Sequence, residues 1–327
     1  MMKLLVTGGC GFIGTNFIKY WFDYYPEDTI INLDLLTYAS CKNNHNDTVN
    51  DYIFVEGDIC NYHLVKNLVN VFQPDIIINF AAESHNDRAI INPTIFYRTN
   101  VLGTQNLLEV CRETKIRFHH ISTCEVYGDM ELDADYKFNE DHPLKPNTPY
   151  SSSKAASDLV VLAYYKTFGL PITISRCCNN YGPYQFTEKM IPLFIYNLIN
   201  YKKIVLFENS NYVREWIHVL DHCTAINTII KKGKIGEVYN IGTGDEKSIE
   251  EIADILLSIF NEKNDFKEYV SDRLGHDKRY LLDSNKIKSL GWSPSVTFDS
   301  GIKNTIIWYL NRIDSWEPLI KDKSEAL

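Results

Sequence analysis

Residues 3 to 14 read Lys-Leu-Leu-Val-Thr-Gly-Gly-Cys-Gly-Phe-Ile-Gly, and this stretch decides the fold. Lys3 to Thr7 is a continuous apolar run of the kind that forms a strand buried on both faces. Gly8, Gly11 and Gly14 follow in G-x-x-G-x-x-G spacing, and an aromatic-rich helix is predicted from about Thr15 to Tyr25. In such a strand, turn and helix the glycines let a pyrophosphate approach the helix N-terminus, whose amides and dipole favour negative charge. A glycine triplet alone is a weak signal. Its context strengthens it, because a second apolar strand, Thr29 to Leu33, runs into Asp34 about 20 residues after the last glycine, where a carboxylate would bind the adenosine ribose hydroxyls. That carboxylate would repel a 2′-phosphate, so the pattern points to NAD rather than NADP. The plainer alternative is a loop acid beside glycines that only turn the chain.

The alternation continues outward from this unit. Strands are predicted at Tyr52 to Glu56, Asp75 to Phe80, His119 to Thr123 and Pro171 to Arg176. Helices are predicted through about Phe72, from Pro93 to about Thr114 carrying Thr99 and Asn100, and from Tyr150 to Phe168. The order predicts an α/β protein with a doubly wound, Rossmann-type parallel sheet. Asp58 follows the third strand, where it could bond an adenine amine or cap the next helix. Small residues after the fourth strand, Phe80-Ala81-Ala82, would let a flat cofactor approach. Beyond Pro183 the alternation weakens into short strands such as Ile204 to Phe207 and helices near 249–260 and 299–310. The expected division is an NAD-binding domain over 1–183 and a smaller mixed α/β lobe over 184–327 that binds substrate. A strand near 237–242 is expected to return to the main sheet. The 327 residues leave room for both, since single cores stop growing at about 250–300 residues.

The formal charge is −9 and no Lys or Arg stripe is present, so nucleic-acid binding lacks its electrostatic footprint. No apolar run approaches the ~18 residues of a membrane span, and the N-terminus enters a strand at once, so a soluble cytoplasmic protein is expected. The eight cysteines lack Cys-x-x-Cys spacing, against a disulfide framework or zinc site. His218 and His222 lie four apart, but no third ligand is spaced to join them, so no metal is expected.

Two further segments carry proton chemistry: Ser-Thr-Cys-Glu-Val-Tyr-Gly at 122–128 and Tyr-Ser-Ser-Ser-Lys at 150–154. Tyr150 and Lys154 share a helix face, so the ammonium could stabilise a phenolate and lower a phenol pKa from its usual ~10. Thr123 could bond the same substrate hydroxyl, while Glu125 and Cys124 form a second acid/base pair.

Taken with Thr-Gly-Gly-x-Gly-Phe-Ile-Gly, Asp34 and Asp58, these segments make the chain resemble the extended short-chain dehydrogenase/reductase superfamily, and within it the dTDP-glucose 4,6-dehydratases. The likeness runs on through Ala82-Glu83-Ser84-His85, Arg176 to Gln185, Glu188 to Pro192, Val213 to Trp216, Tyr239 to Gly242, Asp272 to Asp277 and Leu290-Gly291-Trp292. The resemblance implies a hydro-lyase of deoxysugar and polysaccharide biosynthesis. Such an enzyme oxidises C4 of a nucleotide-linked hexose with Tyr150 as base, removes the C5 proton with Glu125, expels water from C6 and returns the hydride there. It implies a cofactor site of Gly8, Gly11, Phe12, Ile13, Gly14, Asp34, Asp58, Ile59, Phe80, Ala81, Ala82, Ser84, Thr99, Tyr150, Lys154 and Asn180. It implies a sugar-nucleotide site of Ser84, Thr123, Asn179, Lys189, Met190, Val205, Phe207, Arg214, Asp272, Arg273 and His276. A homodimer packed through the helices at 94–114 and 150–168 is usual for such relatives.

The chain departs from the family where it has Cys124 for an Asp thought to protonate the leaving C6 hydroxyl. A thiol of pKa near ~8.5 keeps its proton at neutral pH and could donate it; equally, Cys124 could be a small buried filler. Val205, Phe207, Ile249 and Asn86 replace Pro, Tyr, Asn and Val, which keeps UDP-glucose and UDP-N-acetylglucosamine beside dTDP-glucose as candidate substrates. Arg214 suits a diphosphate clamp, or an ion pair with Glu215 or Asp221. A 4-epimerase or decarboxylase of the superfamily, and a non-catalytic protein that binds NAD or a sugar nucleotide, remain the rival readings.

Overall fold

The computed structural model describes residues 1–48, 50–272 and 274–313; Arg273 and the charged tail after Pro318 lie outside them. β1 (Lys3–Thr7) leads into α1 (Phe12–Tyr24), which starts earlier than the apolar pattern suggested because Gly11, in extended conformation, serves as its N-cap. Two of the glycines are required by contact. Gly8 has φ of 71°, and a Cβ there would lie 2.6 Å from the Ala81 nitrogen, while one at Gly14 would lie 2.4 Å from the Gly8 oxygen.

The chain continues through β2 (Thr29–Asp34), β3 (Tyr52–Glu56), α2 (Tyr62–Phe72), β4 (Ile76–Asn79), α3 (Asn86–Ile91), α4 (Pro93–Phe96), α5 (Thr104–Thr114), β5 (Arg117–Thr123), α6 (Pro149–Phe168) and β6 (Ile172–Cys177). The single helix expected from Pro93 to Thr114 is interrupted by a π turn at Tyr97–Gly103. This turn sets Asn100 so that its amide donates to the Glu83 carbonyl at 3.0 Å and to Ser153 Oγ at 2.8 Å, tying the end of β4 to α6. The cap of α2 is Asn61, which accepts from the Leu64 amide, and not Asp58, which instead accepts from the Cys60 amide at 2.8 Å in a local turn.

β7 (Asn179–Tyr181), α7 (Met190–Ile199), β8 (Ile204–Phe207), β9 (Val213–His218), α8 (Val219–Lys232), β10 (Val238–Ile241), β11 (Glu246–Ser248), α9 (Ile249–Phe260), β12 (Lys267–Val270), α10 (Asn285–Lys288) and α11 (Phe298–Leu310) complete the chain. The main sheet has the order β10-β6-β5-β4-β1-β2-β3 with every pairing parallel. The chain winds one way from β1 through β3, then crosses back to β4 on the other side of β1. That reversal opens a crevice at the carboxyl ends of β1 and β4, where doubly wound sheets bind ligands. Side chains alternate across the strand: Leu5 packs with Ile31, Leu107 and Phe118 on one face, and Leu4 and Val6 with Phe17, Trp21 and Ile226 on the other. A separate core around Phe194, Trp216, Leu256 and Ile302 supports the three-stranded β11-β9-β7 sheet and the β12-β8 pair. Among the described residues no helix is long and apolar enough to cross a membrane.

Candidate active site

The crevice at the switch point is lined by Gly8, Gly11, Phe12, Ile13 and Gly14 of the first turn, Asp34, Asp58 and Ile59, then Phe80, Ala81, Ala82 and Ser84 after β4. Thr99 of the π turn and Tyr150 and Lys154 of α6 close it. Its chemistry fits a dinucleotide. The missing Cβ atoms at Gly8 and Gly14 keep the turn tight, and α1 begins without a side-chain cap, leaving first-turn amides for a pyrophosphate. Asp34 is pinned by the Cys10 and Leu36 amides, each at 2.8 Å; burial pushes its carboxyl up while those amides oppose the shift. Asp58 also accepts from Arg98 at 2.9 Å. Asn180 lines the neighbouring cleft instead, where its Oδ1 accepts from His222 Nδ1 at 2.9 Å.

α6 starts where Thr148 caps it, in a reciprocal capping box with Ser151 and with Pro149 in the first turn. Tyr150 and Lys154 therefore stand one turn apart on the face against β5. Lys154 is buried; its ammonium donates to the Ile121 carbonyl at 2.6 Å and lies 3.4 Å from His120 Nε2. Burial pushes its pKa down to about 8, against the pull of Asp158. The Tyr150 phenol is raised, first by desolvation and then by the Glu125 carboxylate, with a hydrogen bond to Thr123 working the other way. The helical spacing suggested a lowered phenol, but in the protein alone desolvation outweighs the lysine, whose shortest bond goes to the strand carbonyl.

β5 ends at Thr123, whose hydroxyl accepts from the Glu125 amide at 3.3 Å and so starts a tight turn over Cys124–Tyr127. The turn sends Glu125 into the second cleft. Cys124 points elsewhere: it is 1% exposed, packs in a core with Cys177 and Cys178, and lines neither cleft. Burial, then the Glu125 and Glu215 carboxylates, raise its thiol pKa far above the ordinary value, so it stays protonated at neutral pH.

The second cleft is lined by Ser84, Asn179, Lys189, Met190, Val205, Phe207, Arg214 and His276, and it shares Ser84, Gln185, Glu188 and Lys189 with the first. Asp272 sits behind it, its carboxylate 3.1 Å from His276 Nδ1. Arg214 is buried, donates to the Val213, Asp277 and Lys278 carbonyls, and stacks on Tyr280 with its guanidinium carbon 4.9 Å from the ring centroid. Glu215 accepts from the Gly244 and Leu282 amides, and Asp221 from Ser295 and Val296, so neither serves Arg214 as the ion-pair alternative had it. His218 caps α8 by accepting from the Leu220 amide. Among the described residues no cluster of His, Cys, Asp or Glu could hold a metal ion.

A family model described as GDP-mannose 4,6 dehydratase matches residues 5–305. This chain belongs to the GDP-mannose 4,6-dehydratase-type family. Within that family, a dTDP-glucose 4,6-dehydratase from Mycobacterium tuberculosis is 43% identical, with 99% of this chain and 98% of the relative aligned. The low-salt glycan biosynthesis protein Agl12 of Haloferax volcanii is 46% identical over 94% of this chain and 99% of its own. The crystal structure of DesIV, a dTDP-glucose 4,6-dehydratase from Streptomyces venezuelae solved with NAD bound, superposes with a TM-score of 0.93 at 44% identity, covering 97% of this chain and all of DesIV.

Glu188, Gln185 and Tyr280 are among the cleft residues of this dehydratase-family chain that were not expected as site residues. Glu188 accepts from Tyr38 at 2.7 Å and from Arg88 at 3.0 Å, fastening the segment that walls both clefts. Its place in the Glu188-Lys189-Met190 stretch was the available signal. Gln185 had the same signal at the end of the Arg176 to Gln185 stretch, whereas Tyr280 reaches the second cleft by the path of the backbone, for which one sequence carries no pattern.

Proposed function

We propose that the protein is an NAD-dependent nucleotide-sugar 4,6-dehydratase that converts dTDP-glucose to dTDP-4-keto-6-deoxyglucose and water. The observation that carries this reading is Glu125 in a cleft that shares a wall with the one holding Tyr150 and Lys154. A 4-epimerase needs the tyrosine and lysine alone. NAD, when bound, takes up the C4 hydride and gives it back at C6. Tyr150 accepts the C4 hydroxyl proton, with Thr123 hydrogen-bonded to the phenol and the Lys154 ammonium behind it. The ketone at C4 acidifies the C5 proton, which Glu125 removes; the C6 hydroxyl leaves as water with a proton drawn from solvent, in exchange for the one Tyr150 took up, and Glu125 gives its proton back to C5 as the hydride returns to C6. In this reading residues 1–183 carry the cofactor and 184–327 most of the nucleotide-sugar contacts, with Arg214 at the diphosphate.

Incubation with dTDP-glucose, UDP-glucose and UDP-N-acetylglucosamine tests the reading, because Val205 and Phe207 line the cleft. The expected result is a product lighter by one water from dTDP-glucose. An isobaric product would establish an epimerase, and retained NAD with no product would establish a binding protein; either overturns the proposal.

We further propose a homodimer through the outer faces of the helices at 94–114 and 150–168. Leu102 and Leu159, each 58% exposed, and Tyr97 at 40% give these faces an apolar surface that a second copy would cover. Light scattering is expected to give twice 37.9 kDa, and Leu102→Asp with Leu159→Asp to halve that mass. A wild-type monomer would refute the dimer.

A further inference from the structure

Asn86, the first residue of α3, bridges the two halves of the proposed chemistry. Its Nδ2 donates to Glu125 Oε2 at 3.1 Å, and its Oδ1 accepts from the Thr148 hydroxyl at 2.9 Å. Thr148 is the cap of α6, the helix that carries Tyr150 and Lys154, and its oxygen accepts from the Ser151 amide at 3.1 Å. The three bonds run in one direction. The Ser151 N–H serves Thr148, the Thr148 hydroxyl serves the Asn86 carbonyl, and the Asn86 amide nitrogen is left facing the carboxylate. A hydroxyl has one hydrogen and an amide nitrogen has no acceptor, so the series ends on a group that accepts. An ionised carboxylate meets that requirement at either oxygen.

We propose that Asn86 is a positioning residue that holds Glu125 ionised and aimed into the substrate cleft. The proposal rests on the elimination role of Glu125 in the preceding reading. An apolar side chain such as valine at this position could not donate. Among the titratable groups that face Glu125 are Cys124 on its own turn, Tyr150 on α6 and Tyr280. In the protein alone burial first, and then the Glu125 charge, makes each of them harder to ionise. Asn86 adds a donor from a fourth element without adding charge. A charge-assisted hydrogen bond of this kind is stronger than a neutral one, and it favours the form of Glu125 able to take a proton.

The test uses the NAD-loaded protein with Asn86→Val, and with the isosteric Asn86→Asp as a second variant, after retained NAD and melting temperature confirm the fold. The Glu125 carboxyl is titrated by carbon-detected NMR on protein labelled at the glutamate carboxyl, its signal identified by its loss in Glu125→Gln. In parallel the pH profile of dTDP-glucose turnover is recorded. In Asn86→Val the Glu125 midpoint is expected to rise by about one unit, a tenfold change in proton affinity. In Asn86→Asp it rises further, through like charge. The acid limb of turnover moves up with it and the alkaline limb stays. A midpoint unmoved in both variants overturns the contact. A midpoint that moves without the acid limb overturns the service to elimination. The titration needs no turnover, so a protein that fails to dehydrate the sugar still tests Asn86, and failure of the broader reading is told apart from failure of this one.

Discussion

Glu125→Gln is expected to lower dehydration by about 10²- to 10⁴-fold, the usual worth of a positioned general base, while NAD stays bound. The substitution keeps the side chain's shape and leaves an oxygen for Asn86 Nδ2, which now bonds Oε2 at 3.1 Å. What is lost is the basicity needed at C5. The cofactor crevice is lined by other residues, and the C4 proton belongs to Tyr150, so C4 oxidation should survive. Mixed with dTDP-glucose, the variant should build up reduced-nicotinamide absorbance and release no dehydrated product. Unchanged turnover would remove Glu125 from the mechanism. Cys124→Asp makes the contrasting case on the neighbouring residue. Position 124 lines neither cleft, so elimination is expected to hold while stability falls, because the new carboxyl is buried beside Cys177 and Cys178. Complete loss in a folded Cys124→Asp protein would give the thiol a role of its own.

Asp158→Ala is expected to cost about 3–5 kcal/mol of stability, the range for removing one partner of a buried ion pair. Asp158 is fully buried on α6, and its Oδ2 accepts from Arg176 Nε at 2.9 Å. Arg176, 2% exposed, also donates to the Tyr127 hydroxyl at 2.8 Å. Deleting the carboxylate strands a guanidinium where water cannot reach it, and a typical domain has only about 5–15 kcal/mol in total. Urea unfolding reads the loss; a cost below about 1 kcal/mol would show that the pair is replaceable. Asp158→Asn, which keeps the shape, separates charge from packing. Asp158 is the group that pulls the Lys154 pKa up against burial. Without that charge the value drops below about 8, and the alkaline limb of turnover should move to lower pH. The sign for stability matches the common carboxylate case and is opposite to that of a lysine whose folded pKa is raised by a partner. The folded value for Lys154 is below the unfolded ~10.4, so the cost of burying its charge is fully present below about 8. That cost is relieved as pH rises between the two values, where the unfolded chain binds more protons.

The sheet was legible because strands buried on both faces are written as unbroken apolar runs, and Lys3 to Thr7 and Thr29 to Asp34 stand where those runs fall. Asp34 and the glycines were legible for a related reason: a ligand that spans a turn and the next strand fixes their spacing. Glu246–Ser248 was not, since three residues are too short to show a period. The π turn was hidden because its extra residue leaves composition unchanged. The contact between Asn86 and Glu125 joins residues 39 apart, and only the arrival of α3 over the end of β5 makes it. Nor were the partners of His119 and His120, adjacent in a buried strand, legible; they are Thr173 and Ser157.

The π turn at Tyr97–Gly103 also bears on how this chain tolerates insertion and deletion. Each residue of a helix advances it by about 100° and 1.5 Å. Removing one residue from the turn would therefore act as a screw on everything downstream. Asn100 would swing away from Ser153, and the exposed Leu102 side chain would turn to another side of the helix. Surface loops accept changes of length with small penalties, but this helix is a gauge whose length sets two registers at once: one toward the cofactor crevice, the other toward the outside of the molecule.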